Sequence, residues 1–399
     1  MAKAKKYLAI VALLAAVALV VTGCGGSTPA PTEGAAKAVT VKIGIGAPIT
    51  QGAVALGKGM ERGAKLAIKD MNASEEAKKL GITFASVTGD DQGDPKTGVT
   101  VANQFASDPE LVGVMGHLNS GVSIPGSKVY NGANLVQISP ASTNPALTQQ
   151  GFKNVFRVCT IDSVQGPAGA DDAVAKLGKK AVFVVDDSTP YGEGLAEEFA
   201  KEFEAKGGKV VGKEKTGDKD TDFKALVTKI KSKGADIVYY GGIYNAGALL
   251  SKQLKEAGVK APLMGGDGLY DGEYIKLAGA ANAEGDLCTS VGLPLDLLPE
   301  GAKFKAAYKA EYPNDEIAAY DAYAYDAATV IMKATLEAAG KVGADKVTST
   351  EGKVAIIAAT AAFKGTGITG EIAFDANGDT TNKAITLYVV KGGAWAPFK

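Results

Sequence analysis

The sequence is poor in the residue types that carry most catalytic and metal-binding chemistry. Its 399 residues include one histidine, three cysteines and one tryptophan. A zinc site needs several histidine or cysteine ligands, and His117 together with scattered cysteines cannot supply them. We therefore expect no metal and no other cofactor.

Neither sign of charge predominates, since 43 lysines and arginines face 44 aspartates and glutamates. This balance leaves no basic stripe for nucleic acid and no acidic tail. A nucleotide fingerprint is missing as well, because GIGAPI (44–49) lacks the third glycine and Pro48 interrupts the turn into a helix. No GxxxxGK[ST] motif occurs. Nucleic acids and nucleotides are therefore not expected as partners.

An apolar run near the N-terminus falls short of the roughly 20 residues that a membrane-spanning helix needs. Three lysines in MAKAKK precede YLAIVALLAAVALVV, and small residues then lead to Cys24. This order is typical of a secretory signal, and the cysteine indicates a lipoprotein. We expect residues 1–23 to be the signal peptide, Cys24 to carry the lipid, and residues 24–38 to be a flexible tether. The rest of the chain would then work outside the cytoplasmic membrane, close to its surface.

Short apolar strands alternate with helical stretches from Val39 onward. VTVKIGIGAPI, ITFASVTGDD and LVGVMGH read as strands in the first half, and AVFVVDD, DIVYYGG and PLMGGDG repeat the pattern in the second. This rhythm is typical of parallel sheets covered by helices. We expect an α/β fold of two Rossmann-like lobes, the first formed by 39–158 and 289–365 and the second by 159–288 and 366–399.

Two cysteines, Cys159 and Cys288, lie where the chain is expected to cross between the lobes. In an oxidising compartment they could form a disulfide at the hinge, and they could equally be buried small hydrophobes.

Polar residues cluster just after four of the predicted strands. The clusters are Asn119-Ser120, Ser139 to Thr143, Asp186 to Tyr191, and Gly265 to Asp267. In open α/β sheets, ligands bind beyond the carboxyl ends of the strands. Two facing lobes would bring these loops together around one small molecule.

A hydrolase that uses Ser120 and His117 is the enzymatic alternative. Ser120 does not lie in a GxSxG elbow, and its spacing from the histidine is too local to indicate a triad. A hydrogen-bonded histidine at the end of a strand is the competing interpretation. We therefore do not expect an enzyme.

Five segments resemble one known family in order along the chain: GHLNSG, ISPASTNPALT, DDSTPYGEGLA, DFKALVTKIKSKGADIVYYGG and GGDGLYD. The chain is similar to the leucine/isoleucine/valine-binding proteins over nearly all of its length after the signal. These are extracytoplasmic receptors of branched-chain amino-acid ABC transporters, with the type I periplasmic-binding fold. The resemblance implies a monomer that closes about three hinge strands on an amino acid and delivers it to a permease.

The family's binding residues carry over onto matching positions. The resemblance implies that Ser120 and the loop Ala141-Ser142-Thr143 hold the ligand carboxylate, that Asp267 receives the ammonium, and that Tyr191 lines the pocket. An aspartate against an ammonium is a charge-assisted pair, which is strong in a closed, dry cleft.

The sequence also departs from the family. Some members carry a longer acid than Asp267. Ile243 stands where a tyrosine often contacts the amino group, and Tyr244 beside it is a candidate ligand contact. Leu56 replaces an aromatic residue. These changes leave amino-acid binding expected and weaken the branched-chain assignment.

A family disulfide is also absent at both ends, where this chain has Gly93 and Asn119. Asn119, beside Leu118, could place a polar group near the ligand side chain. The alternative is the same fold with another small ligand, such as an amide or an aromatic acid. Sugars are disfavoured, because their sites usually stack on tryptophan and Trp395 lies near the C-terminus.

Overall fold

Two mainly parallel sheets organise residues 38–399, which the computed structural model describes. The predicted signal peptide, the lipidation site Cys24 and nearly all of the predicted tether lie outside these residues. Within the described part of the chain, no helix has both the length and the apolar character to cross a membrane.

The first sheet consists of five parallel strands in the order β2-β1-β3-β4-β5. The strands are β1 (Val39–Ala47), β2 (Ile82–Asp90), β3 (Leu111–Gly116), β4 (Val136–Ser139) and β5 (Val155–Arg157). The helices between them are α1 (Val54–Ala73), α2 (Glu75–Leu80), α3 (Pro95–Ser107) and α4 (Ser120–Gly132). Every residue of β3 and β4 is buried, as expected for a parallel sheet with both faces covered.

The second sheet repeats this order in its parallel part, β7-β6-β8-β9-β10, and adds two antiparallel strands beside β10. Its strands are β6 (Ala181–Asp186), β7 (Lys209–Lys215), β8 (Ile237–Gly241), β9 (Leu263–Gly265), β10 (Leu287–Val291), β13 (Ile385–Lys391) and β14 (Ala394–Pro397). Its helices are α5 (Asp162–Asp171), α6 (Pro190–Ala205), α7 (Lys224–Lys233), α8 (Tyr244–Glu256), α9 (Gly272–Ala278) and α10 (Ala280–Ala283).

Three later helices return to the first sheet, followed by a hairpin. They are α11 (Gly301–Glu311), α12 (Asp321–Val342) and α13 (Thr350–Ala362), and the hairpin is β11 (Lys364–Gly367) with β12 (Gly370–Ala373). Helix α12 packs on α1, β3 and β4, and α13 packs on α12. We call the first sheet with α1–α4, α11–α13 and the hairpin the first lobe, and the second sheet with α5–α10 the second lobe.

Two features of the sheets and the hairpin differ from the expected lobe bounds. Strand β10 stays in the second sheet as far as Val291, past the predicted boundary at 288, because it pairs along its length with β13. The hairpin, predicted to lie in the second lobe from residue 366, is bonded to the first. The Asp326 carboxylate on α12 accepts hydrogen bonds from the backbone N–H groups of Ile368 and Thr369, each at 2.8 Å.

The strand order reverses between β1 and β3 in the first lobe and between β6 and β8 in the second. In doubly wound sheets the crevice at such a reversal, beyond the carboxyl ends of the strands, is where ligands bind. Each lobe therefore contributes one such crevice.

Candidate functional site

The two crevices meet at one narrow cavity. From the first lobe its lining comprises Leu56, Leu118, Asn119, Ser120, Ala141 and Tyr320, and from the second lobe Tyr191, Ile243 and Gly268. The cavity encloses ≈ 20 Å³, about the room that one water molecule needs. The lobes thus meet closely at the carboxyl ends of their strands.

Most of the predicted site residues come together here. Of the remaining ones, Ser142, Thr143 and Asp267 are buried beside the lining residues. Tyr244 lies at the lobe boundary instead, where its hydroxyl oxygen accepts a hydrogen bond from the Ala55 N–H at 3.2 Å.

Ser120 begins α4, and its hydroxyl oxygen accepts a hydrogen bond from the Asn144 N–H at 3.2 Å. The helix N-terminus that carries Ser120 favours an anion, because its first N–H groups have no partner within the helix. The hydroxyl of Thr143 is buried without a hydrogen-bond partner in the described part of the chain. The hydroxyl of Ser142, in contrast, donates to the Leu118 carbonyl at 2.9 Å. The Ser120 hydroxyl therefore lies at the cavity and the Thr143 hydroxyl is buried close behind it, whereas the Ser142 side chain stabilises the loop.

The loop is supported from behind by Arg157, which is fully buried. Its guanidinium donates to the carbonyls of Ser142 at 2.7 Å and Asn144 at 2.9 Å, and to the Asp379 carboxylate at 2.6 Å. Because the Arg157 guanidinium is bonded to these carbonyls and to Asp379, it positions the loop and does not face the cavity.

His117 has a structural role at the end of β3. Its Nδ1 lies 2.6 Å from the Asp91 carboxylate and its Nε2 lies 2.8 Å from the Tyr130 hydroxyl. Both ring nitrogens are thereby engaged, and neither is left for Ser120. Gly46 packs against the imidazole so closely that a Cβ at this position would lie 2.6 Å from Cε1. The Ser-His alternative is thus excluded by geometry.

Asp267 is fully buried between two tyrosines. The Tyr191 hydroxyl donates to its Oδ1 at 2.8 Å, and the Tyr320 hydroxyl donates to its Oδ2 at 2.6 Å. Burial raises the pKa of Asp267, although both tyrosine hydrogen bonds oppose the shift. Tyr191 is held at the start of α6, where the Thr189 hydroxyl caps the helix and Pro190 takes the first position.

Tyr320 also lines the cavity, and the sequence analysis does not identify it as a site residue. It immediately precedes α12, and only the return of that helix to the first lobe brings it to the cavity. No local pattern distinguishes it from the other tyrosines of AAYDAYAYD.

Asp162 is a second buried carboxylate that the sequence interpretation missed. It is the first residue of α5, and its backbone N–H donates to the Thr143 carbonyl at 3.0 Å. Among the described residues, neither carboxylate oxygen has a hydrogen-bond partner at good geometry, although the Thr143 hydroxyl is a polar neighbour. The pKa of Asp162 is raised to about 8, mainly by burial and in part by the charge of Asp267, while the neighbouring Thr143 hydroxyl opposes the shift. The sequence feature that could have identified Asp162 is the acid in TIDSVQG, the segment in which the chain is expected to pass from the first lobe to the second.

Cys159 and Cys288 are both buried free thiols, so the candidate hinge disulfide is not formed. Burial raises the pKa of each thiol, which disfavours the reactive thiolate. Within residues 38–399, no cluster of three or more His, Cys, Asp or Glu side chains could hold a metal ion.

A larger groove of ≈ 670 Å³ opens at the lobe boundary beside Arg62, Asp271 and Trp395. None of the predicted site residues lines it, so the narrow cavity remains the candidate site.

One known protein family matches most of the chain. The family described as "Periplasmic binding protein" matches residues 40–394. The Leu/Ile/Val-binding protein homolog 1 of Brucella melitensis is 34% identical over 356 residues, covering 89% of this chain and 91% of the relative. The leucine-, isoleucine-, valine-, threonine- and alanine-binding protein of Pseudomonas aeruginosa is 34% identical over 354 residues, covering 88% and 89%.

Among solved structures, a branched-chain amino-acid transporter substrate-binding protein from Streptococcus pneumoniae, in complex with isoleucine, is similar with a TM-score of 0.78. Its sequence identity is 25%, and the match covers 90% of this chain and 100% of that one. The predicted fold class is thereby confirmed.

Proposed function

The chain belongs to the periplasmic binding protein family, and from this premise we propose that it is an extracytoplasmic receptor that captures a small neutral amino acid for an ABC importer. Membership in a family of binding proteins agrees with the expectation that the chain is not an enzyme. In this proposal the first lobe binds the ligand carboxylate, and the second lobe binds the ligand ammonium.

The opposition of polar groups across the cavity carries this proposal. Ser120 and Thr143 from the first lobe present hydroxyl groups near a helix N-terminus, which suits a carboxylate. Asp267 from the second lobe presents a buried acid, which suits an ammonium. An α-amino acid carries both groups on one carbon, so it can bridge the lobes.

The remaining walls indicate the ligand side chain. Leu56, Leu118 and Ile243 line the cavity with aliphatic surface, which suits an aliphatic side chain. Asn119 adds a polar group whose Oδ1 is buried without a hydrogen-bond partner in the described part of the chain. Leucine, isoleucine and valine suit the aliphatic walls, and threonine would also satisfy Asn119. The Brucella and Pseudomonas relatives are named for ligands of these classes.

Capture requires the lobes to separate and close again. Ser120 is 1% exposed and Asp267 is fully buried, so a ligand reaches them only when the cleft is open. The segments after β5, after β10 and after β12 join the lobes and would act as the hinge. Because contacts from both lobes are complete only in the closed form, binding shifts the population toward closure.

Thermal unfolding with a ligand panel tests the proposal. A ligand that binds only the folded state at about 100 times its Kd stabilises the protein by about 2.7 kcal/mol. We expect L-leucine, L-isoleucine, L-valine or L-threonine to raise Tm by several degrees, and benzoate and butanamide to leave it unchanged. A rise with benzoate or butanamide and none with any amino acid would support the alternative ligand class and contradict the proposal.

We further propose that a lipid on Cys24 tethers the receptor, as a monomer, to the outer face of a membrane. The apolar run and the small residues before Cys24 support this proposal. Cys24→Ser in the full chain should move the protein from the membrane fraction to the soluble fraction. Unchanged membrane association, with no lipid mass on the N-terminal peptide of the native protein, would contradict the anchor.

A further inference from the structure

Asn144 joins the two lobes beside the cavity, although it does not line the cavity itself. It belongs to the first lobe and directly precedes the short helical turn Pro145–Leu147. Its side-chain Nδ2 donates a hydrogen bond to the Pro190 carbonyl at 2.6 Å, and Pro190 is the first residue of α6 in the second lobe. We call this hydrogen bond the interlobe bond. It exists only while the lobes are together.

The first lobe fixes Asn144 by three further hydrogen bonds. The backbone N–H donates to the Ser120 hydroxyl oxygen at 3.2 Å, and the backbone carbonyl accepts from the Arg157 guanidinium at 2.9 Å. The side-chain Oδ1 accepts from the Ala146 N–H at 2.9 Å. Because Oδ1 is bonded within the first lobe, the amide is oriented with Nδ2 toward the second lobe.

The second lobe fits closely around this side chain. A Cβ at Gly194 on α6 would lie 2.9 Å from the Asn144 Nδ2. A Cβ at Gly121, the second residue of α4, would lie 3.2 Å from the Pro190 Cδ. Both distances are shorter than ordinary van der Waals contact. The two glycines therefore allow the beginnings of α4 and α6 to approach far enough for the interlobe bond to form.

Asn144 also connects the residues assigned to the two charged groups of the ligand. On one side it is bonded to Ser120, whose hydroxyl accepts this bond and can still donate its hydrogen to a carboxylate. On the other side its partner Pro190 is followed by Tyr191, whose hydroxyl donates to Asp267 at 2.8 Å. One series of contacts thus extends from the carboxylate side of the cavity to the ammonium side.

We propose that Asn144 is a positioning residue that holds the lobes closed over a bound amino acid. The inference rests on the proposed function. A ligand carboxylate held by Ser120 orders the loop that carries Asn144, and the closed form then gains a hydrogen bond that the open form lacks. The interlobe bond acts mainly on ligand release, because it must break before the cleft opens.

Asn144→Asp tests the interlobe bond while it preserves the contact within the loop. The carboxylate can still accept from the Ala146 N–H, but it has no hydrogen to donate and it faces the Pro190 carbonyl oxygen. Loss of one neutral hydrogen bond corresponds to about fivefold, and repulsion between the oxygens adds to it. We therefore expect L-leucine to leave at least about tenfold faster, with an association rate within about twofold of native. Displacement of radiolabelled L-leucine by excess unlabelled L-leucine measures release.

Gln150→Glu is the matched control, since it makes the same change from amide to carboxylate in the same loop. The Gln150 side chain donates to the Ser127 hydroxyl at 2.8 Å and to the Leu147 carbonyl at 3.1 Å, both in the first lobe. Release from this variant should occur at the native rate. Equal acceleration in Gln150→Glu and Asn144→Asp would attribute the effect to the added charge and overturn the inference.

Gly194→Ala is an independent steric test. The added methyl group meets the Asn144 Nδ2 and displaces it from the Pro190 carbonyl, so release should again be about fivefold faster. In the presence of Asn144→Ala there is no amide to displace, and Gly194→Ala should then add little. Fully additive effects of the two substitutions would contradict the interlobe bond. This pair decides the matter even if Asn144→Asp does not fold.

The possible results separate the two proposals. If L-leucine, L-isoleucine, L-valine and L-threonine all fail to bind the native protein, the proposed function fails. If L-leucine binds and Asn144→Asp releases it at the native rate, the proposed function stands and the role of Asn144 is wrong. Urea unfolding without ligand should give the native midpoint for Asn144→Asp. A lower midpoint with native release would show that Asn144 only supports its loop.

Discussion

Two residues three positions apart after β3 have different surroundings. His117 has both ring nitrogens engaged by Asp91 and Tyr130 and belongs to the core. Ser120 has its hydroxyl at the cavity, at the start of a helix. The residue that first suggests an enzyme thus stabilises the strand end, and our proposal gives the serine the role of holding an anion instead of attacking a carbonyl.

Ser120→Ala should weaken amino-acid binding about 10- to 100-fold, because hydrogen bonds to charged groups are worth about 1.5–3 kcal/mol. Calorimetry with L-leucine measures the loss. Ser127→Ala on the same helix is the control, since the Ser127 hydroxyl donates to the Ile124 carbonyl instead of facing the cavity. Equal affinities of the two variants would contradict the assignment of Ser120.

Asp267→Ala should cost much more affinity than Asn119→Ala. Removing one partner of a buried charge pair costs about 2–5 kcal/mol, whereas a neutral hydrogen bond is worth about 1 kcal/mol. Titration of both variants with L-leucine measures the difference, and circular dichroism checks that each folds. Equal losses would show that Asp267 does not receive the ammonium.

At the scale of elements, the sequence predicts the alternation of strands and helices, because the spacing of apolar residues and the local composition are properties of short segments. The polar loops after β3, β4, β6 and β9 were placed correctly because parallel strands end at one edge of a sheet. Asp162 and Tyr320 were missed because they come from segments that enter or leave a lobe. Their distance to the cavity depends on where the chain returns, which no local pattern encodes.

The expected lobe bounds at residues 288 and 366 differ from the structure for a related reason. Strand β10 is completed by β13, which lies about a hundred residues later in the chain. The hairpin of β11 and β12 is held by Asp326, whose partners are backbone groups that carry no side-chain signal. Contacts between segments far apart in the chain therefore determine to which lobe β10 and the hairpin belong.

The network behind the carboxylate loop predicts a stability effect. Asp379→Ala leaves the Arg157 guanidinium buried without its carboxylate, and such a loss costs about 3–5 kcal/mol. Urea unfolding should show this decrease. The double variant Arg157→Met with Asp379→Ala should lose less than the sum of the single losses, and additive losses would indicate that the two side chains do not act as a pair.

At the scale of the whole molecule, contacts between the lobes contribute to closure apart from the ligand. The Asn245 side chain on α8 donates to the Gly52 carbonyl of the first lobe at 3.1 Å. Asn245→Ala should destabilise the closed form by about 1 kcal/mol and weaken binding about fivefold, mainly through faster release. Stopped-flow fluorescence measures the release rate.

Asn103→Ala is the control for this variant, because the Asn103 side chain donates to the Val99 carbonyl within its own helix. We expect its release rate to match that of the native protein. An unchanged rate in Asn245→Ala would mean that this contact does not stabilise closure.

The central claim is that opposite lobes hold the two charged groups of one amino acid, its carboxylate and its ammonium. Titration calorimetry of the native protein with L-leucine and with 4-methylpentanoate tests it most directly, since the second molecule is leucine without its ammonium. We predict that L-leucine binds and that 4-methylpentanoate binds at least about 100-fold more weakly, because Asp267 then stays buried without its cation. Equal affinity for the two molecules, or binding of 4-methylpentanoate alone, would contradict the account.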